Sequence, residues 1–304
     1  ADEVRHVGHG DVRQQQRRLG LVVTLHLGAV HVIQFDQQLR VRQYGRLVSG
    51  GDQLRMILQQ RSQVIAGRHG HAGPELGVHA ADQGQWMTRL QAEGENSPAD
   101  VLLTVDAGRM WRADQAGLLA PIDSEILNAH IPAHLRHPDG HWFGFSQRAR
   151  IIFYDKETVD RPPMTYEELA DPRYEGMVCM RSSSNIYSLS LLASIIEHHG
   201  EELATDWAQG LKNNLARDPQ GGDTDQLRGI VSGECEIAVS NTYYFARALR
   251  KDVDGLSAAT DEIGWVFPNQ SGRGAHVNIS AGAVLANAPN RDNAVRFLEY
   301  LASD

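Results

Sequence analysis

Three tyrosines carry the chemistry this chain could do. Tyr187 closes the stretch Val178-Cys179-Met180-Arg181-Ser182-Ser183-Ser184-Asn185-Ile186-Tyr187, and Tyr243 and Tyr244 close Cys235-Glu236-Ile237-Ala238-Val239-Ser240-Asn241-Thr242-Tyr243-Tyr244. In each, a β-type apolar run stops at small polar residues and a tyrosine opens an amphipathic helix. Strand ends in open α/β sheets face a ligand crevice, and helix N-termini offer free N–H groups and a positive dipole end. A phenol there ionises more readily than in water, and three converging phenolates would neutralise a hard trivalent cation. Tyrosines at helix starts also serve simply as packing, and residue types alone leave both readings open.

Those junctions need elements to hold them. Cys179 and Cys235 each lie eight positions before a tyrosine, in strand-like runs. Two cysteines this far apart make neither a zinc ribbon nor a disulfide scaffold. They read as small buried hydrophobes, a bridge between them being open but not expected. Trp86–Glu93 has helical spacing, and Ser97-Pro98-Ala99-Asp100 turns into a buried strand, Val101–Val105. A helix carrying Met110, Trp111 and Ala113 follows, and Pro121 closes that unit. Beyond the turn Pro138-Asp139-Gly140 come two adjoining extended runs, Trp142–Ser146 and Ala149–Tyr154. Thr165-Tyr166-Glu167-Glu168 reads as a capping box. Strand, three helices, strand and helix are expected over Met177–Lys251, then strands at Gly264–Pro268 and His276–Ser280 and a helix over Asn290–Leu301. Alternating strands and helices predict an α/β fold with mixed, mostly parallel sheets.

Composition sets the outer bounds. The 304 residues suffice for one large or two modest domains. The balance of 29 basic against 38 acidic residues gives a net charge of −9, which argues against nucleic acid or a polybasic membrane role. No apolar run approaches a membrane span, and no signal peptide is visible at the start. Residues 1–85 stand apart. They contain no Lys, Asn, Trp or Cys and are crowded with Gln, His, Arg, Val and Gly, the composition expected of GC-rich DNA read out of frame or on the opposite strand. A biased N-terminal extension is the alternative. His69 and His71 could meet a metal there, though a histidine pair without further partners is usually incidental.

The ordered set Gly94-Glu95-Asn96-Ser97-Pro98-Ala99-Asp100-Val101, Arg181–Tyr187, Pro219-Gln220-Gly221-Gly222-Asp223, Asn241-Thr242-Tyr243-Tyr244, His276–Ser280 and Ala288-Pro289-Asn290-Arg291 resembles the bacterial periplasmic ferric-ion-binding proteins of ABC importers. The resemblance covers about residues 86–304. It implies a two-lobed, type II-like periplasmic binding protein with a hinged cleft. The first lobe would comprise 86–147 plus 276–304, and the second, 148–275, would carry the tyrosines. It further implies Fe³⁺ held by Tyr187, Tyr243 and Tyr244, delivery to an inner-membrane ABC permease, a periplasmic location, a monomer and no enzymatic activity. Arg148, with Ser182 and Ser183 assisting, is the candidate holder of a synergistic anion such as carbonate. A strand-edge salt bridge is the other reading of Arg148, and Arg181 is either an anion partner or a surface charge. Tyr154 is assigned to packing, and Asn185, Asn241 and Thr242 to helix caps.

The chain departs from that family in two places. The family's first lobe ordinarily supplies a His-Tyr or similar pair, for which residues 1–85 hold no match; Tyr44 is the only tyrosine there. The family also ordinarily continues beyond Asp304. Incompleteness at both ends is therefore expected, with weak or anion-dependent iron binding because fewer contacts drive closure. Other readings are capture of an anion or small organic solute by the same cleft, an enzyme recruiting Asp106, Arg109 or His276, and a remnant without a working site.

Overall fold

The computed structural model describes residues 30–40, 75–81, 85–250 and 253–302. Tyr44, His69 and His71 lie outside the described residues, as does most of 1–85. In chain order the elements are β1 (Val30–Arg40), β2 (Glu75–Ala81), α1 (Gln85–Glu93), β3 (Val101–Val105), α2 (Ala107–Gln115), β4 (Leu119–Ala120), α3 (Glu125–His130), β5 (Phe143–Asp155), β6 (Val178–Cys179), α4 (Ile186–Asn213), α5 (Asp223–Val231), β7 (Ile237–Asn241), α6 (Thr242–Arg250), β8 (Ile263–Val266), β9 (Val277–Leu285) and α7 (Arg291–Ala302). They form two compact units: Ala1–Leu103 with Leu118–His130 and Ala283–Asp304, and Thr104–Gly117 with Ile131–Gly282.

In the first unit, β1 pairs antiparallel with β2 and with β3, the latter through His31↔Leu103 to Ile33↔Val101. β4 pairs antiparallel with the end of β9 through Leu119↔Leu285 and Ala120↔Val284. Val101, Leu102 and Leu103 are all buried, as a strand covered on both faces requires. The buried Asp100 carboxylate accepts the Asn290 N–H at 2.7 Å and so sets where α7 starts. Helix α3 is an element the apolar pattern did not announce. Its signal is Ser124, whose Oγ accepts the Leu127 N–H at 3.2 Å and donates to Glu299 at 2.7 Å.

The second unit is built on β5, a single thirteen-residue strand where two adjoining runs were expected. It pairs antiparallel with β7, with β8 and with the start of β9, and β6 pairs parallel with β7. Parallel pairing is thus a smaller share of the described ladders than strand–helix alternation suggested. The long strands β5 and β9 meet antiparallel, from Phe143↔Gly282 to Ala149↔Val277. Period-two alternation sends Ile152 of β5 and Ile237 and Val239 of β7 to one core, with Leu191 and Ile195 of α4. Ile151, Phe153 and Ala238 go to the opposite face, with Leu227, Ile230 and Phe245. Helix α4 breaks at Gly200, whose φ of 80° and ψ of 168° no helix accommodates, so the region holds the three expected helices. Thr165 does cap its turn, accepting the Glu168 N–H at 3.2 Å, but Glu168 reaches the Met164 N–H instead, and only a 3₁₀ turn forms over Glu167–Ala170.

Candidate metal centre

The two tyrosine junctions leave the second unit's sheet side by side. Because β6 and β7 are parallel neighbours, with Val178↔Ile237 and Cys179↔Ala238 in register, both strands deliver their following helices at the same sheet end. Cys179 and Cys235 form a disulfide across this pair, closing a sequence separation of 56 residues. The sequence left such a bridge open without predicting it. Both are buried as expected, but two apolar sulfurs from adjacent chain segments met. Gly229 of α5 lies directly over the bridge. A Cβ there would stand 2.8 Å from Cys235 Sγ and 3.1 Å from Cys179 Sγ, so only glycine fits without displacement.

At the sheet end the three tyrosines come together. Asn185 caps α4 by accepting the Tyr187 N–H at 2.9 Å. Tyr187 Oη lies 3.4 Å from Tyr243 Oη, and the Tyr243 and Tyr244 rings lie against each other, tilted by 32°, with centroids 4.2 Å apart. Contrary to the expectation that a phenol at this junction ionises more readily than in water, burial, then the negative charge that Tyr187 and Tyr244 would carry, pushes the Tyr243 phenol far above its usual range. Tyr244 rises to about 12, from burial first and then Tyr187 and Asp223. Without a cation both are neutral at physiological pH.

Positive charge surrounds this cluster. The guanidinium carbons of Arg181, Arg148 and Arg150 lie 5.0, 5.7 and 5.9 Å from the Tyr187 ring centre. Arg150 and Arg181 are held by one fully buried carboxylate, Asp223, at 2.9 Å each. Asp223 also accepts the Asn241 N–H at 2.8 Å, two residues before Tyr243. Asn241 turns its carbonyl oxygen to Arg150 at 3.2 Å and is the last residue of β7. Asp223 was legible as part of a quoted motif, though not as the group joining both junctions. Arg150 was missed; its signal was a charge inside the extended run Ala149–Tyr154, where a buried cation must be paired.

Arg148 is 4% exposed, and neither terminal nitrogen makes a hydrogen bond. Its nearest carboxylate, Asp106, stands 4.0 Å away. Burial lowers its pKa, opposed by Tyr187 and Asp106; at this long contact the strand-edge salt bridge is weak. Asp106 is itself occupied, accepting from Gly108 N–H, Ser190 Oγ and Asn278 Nδ2 at 2.7 to 3.0 Å. Asp106, Arg148, Tyr187 and His276 line a small cavity of about 10 Å³, room for roughly one water molecule. His276 has an unpartnered Nε2, and burial lowers its pKa to about 4, leaving it neutral. Arg109 is likewise buried, with Nη1 unpartnered. Ser182 spends its hydroxyl on Ser184 at 2.8 Å and Ser183 is exposed. Tyr154 packs in the core against Gly264, as assigned.

Residues 96–304 match the family model for bacterial extracellular solute-binding proteins. The chain belongs to that family. Among relatives of this solute-binding protein, iron uptake protein A1 of Synechocystis sp. is 50% identical over 72% of this chain and 61% of its own length. Iron uptake protein A2 of the same organism is 48% identical over 76% of this chain and 67% of its own. The aligned chain thus spans under two thirds of the first relative. A solved Trichodesmium IdiA (FutA), in complex with iron and citrate ligands, superposes with a TM-score of 0.72 at 44% identity. That superposition covers 86% of this chain and 81% of the other. The fold class is accordingly the two-lobed α/β class of periplasmic binding proteins, with an open mixed sheet.

Proposed function

We propose that this solute-binding protein captures ferric iron in the periplasm through the phenolates of Tyr187, Tyr243 and Tyr244 and delivers it to an inner-membrane ABC permease. The observation that carries this reading is the meeting of three tyrosines from two adjacent strand–helix junctions, with Tyr187 and Tyr243 hydroxyls 3.4 Å apart. Fe³⁺ is hard and prefers anionic oxygen, and a bound cation lowers the pKa of the acid that ligates it. Three phenolates cancel its charge. Arg148, charged and short of hydrogen-bond acceptors, holds an accompanying anion such as carbonate or a carboxylate. The names of the iron uptake relatives and the citrate beside iron in the Trichodesmium protein support both parts. The disulfide fits an oxidising compartment. The protein acts by binding and release, without catalysis.

Ferric citrate titrated into the full chain tests this directly. The expected result is a red-orange phenolate-to-iron absorption that saturates at one iron per chain. A colourless protein that leaves all iron with citrate overturns the reading. Binding of citrate alone, without colour, would favour the organic-anion alternative.

A further inference from the structure

A second cluster in the same unit has metal-ligand chemistry that the tyrosine centre does not use. Asp114 lies near the end of α2, and His137 and His141 flank the turn Pro138-Asp139-Gly140 ahead of β5. One ligating atom from each of the three lies within 4.8 Å of the others. His141 Nδ1 contacts Asp114 Oδ1 at 2.5 Å, and His137 Nε2 lies 3.5 Å from Asp114 Oδ2. The turn is well defined: Gly140 N–H donates to His137 O at 3.0 Å, His137 N–H donates to Trp142 O at 2.9 Å, and Gly140 has a φ of 75°. This brings the two imidazoles into a parallel stack with centroids 4.6 Å apart. All three side chains are partly open to solvent, at 13 to 29%, so an ion can reach them.

From this geometry we infer that Asp114, His137 and His141 form a binding site for a divalent first-row cation such as Zn²⁺. Two imidazoles and a carboxylate are the donor set such ions favour, with water completing the shell. The ion takes the place of the direct contact between His141 and Asp114. Loading has two geometric consequences. Parallel rings cannot both point their nitrogens in-plane at one ion, so the stack tilts open. Coordination through His137 Nε2 also moves that ring's proton to Nδ1, which releases the 3.1 Å contact from the Asp139 N–H to water. The ion then ties α2, which Asp106 caps, to the turn that leads into β5, the strand that carries Arg148.

The test is Zn²⁺ titrated calorimetrically into chelator-stripped full chain, with the Asp114→Asn and His141→Gln variants alongside. Asp114→Asn keeps a hydrogen-bond acceptor for His141, so folding, read by circular dichroism, is retained. The expected result is one Zn²⁺ equivalent more in the starting chain than in either variant. Where residual binding persists at the site, it is at least about tenfold weaker, since a ligand matters no less than its outer-sphere support. Co²⁺ in place of Zn²⁺ should give visible d–d bands that both variants lose and that Tyr243→Phe keeps. Equal Zn²⁺ stoichiometry and affinity in all three proteins would overturn the assignment.

Discussion

At the residue scale, each tyrosine at the centre is a weak acid that a cation must ionise. Tyr243→Phe removes one anionic ligand and one 3.4 Å hydroxyl contact. Ferric affinity should fall at least about 100-fold, while stability changes by no more than about 1 kcal/mol. Competition against a chelator and urea unfolding would measure the two separately. Proton release gives a second expectation. Tyr243 and Tyr244 both start protonated, their pKa values raised by burial, so both lose a proton on loading. Apparent affinity, corrected for the chelator's own titration, should rise at least about 100-fold per pH unit near neutrality; a pH-independent constant would exclude phenolate ligation. The metal-free protein shows the converse sign. Raised folded-state values give Tyr243 and Tyr244 a contribution that is complete below the unfolded phenol pKa near 10 and is lost as pH climbs, for Tyr244 through about 12.

Helices and strands bring those acids together, and two internal ties hold the elements. Opening the Cys179–Cys235 bridge frees a loop of 56 residues, worth about 4 kcal/mol on the chain-entropy account. A Cys179→Ser/Cys235→Ser pair should lose about that much in denaturant unfolding and bind iron more weakly, because β6 and β7 then fix the two junctions by hydrogen bonds alone. Asp223 is the second tie. Asp223→Asn leaves Arg150 and Arg181 without a buried counter-charge and should cost about 3–5 kcal/mol. Its ferric complex, where it forms, should absorb at a shifted wavelength, since both guanidiniums lie against the Tyr187 ring. An unchanged band and stability would remove Asp223 from the account. Much of this layer was readable in advance: the strand runs at 101–105 and 237–241 and the last helix needed only apolar periodicity. The single β5 was not readable as one strand, because Ser146-Gln147-Arg148 interrupts its apolar pattern with polar residues that the fold nevertheless keeps in the ladder. The disulfide stayed hidden because spacing along the chain says nothing of parallel register across it.

For the molecule as a whole, composition excluded more than it identified. A net charge of −9 argued against polyanion partners, and among the described residues no helix is long and apolar enough to cross a membrane. What the charge could not convey is that buried arginines meet around one tyrosine, a local excess of the opposite sign. Arg148 was legible from its position between two strand runs, whereas Asp223 acts through three contacts that only the folded chain creates. Ligand linkage gives the matching whole-molecule expectation. Iron at 100 times its dissociation constant should add about 2.7 kcal/mol to unfolding, visible as a higher melting temperature that Tyr243→Phe does not show.

The sulfur rung has one more consequence. If β6 slid a single residue against β7, Tyr187 would travel about 3.3 Å and every side chain on that strand would face the wrong way. Coordination bonds tolerate errors of only about 0.2 Å. A covalent clasp from β6 to the residue two positions before β7 resists such slippage, so the gauge between the oxygens is held by valence as well as by the softer fit of packed side chains.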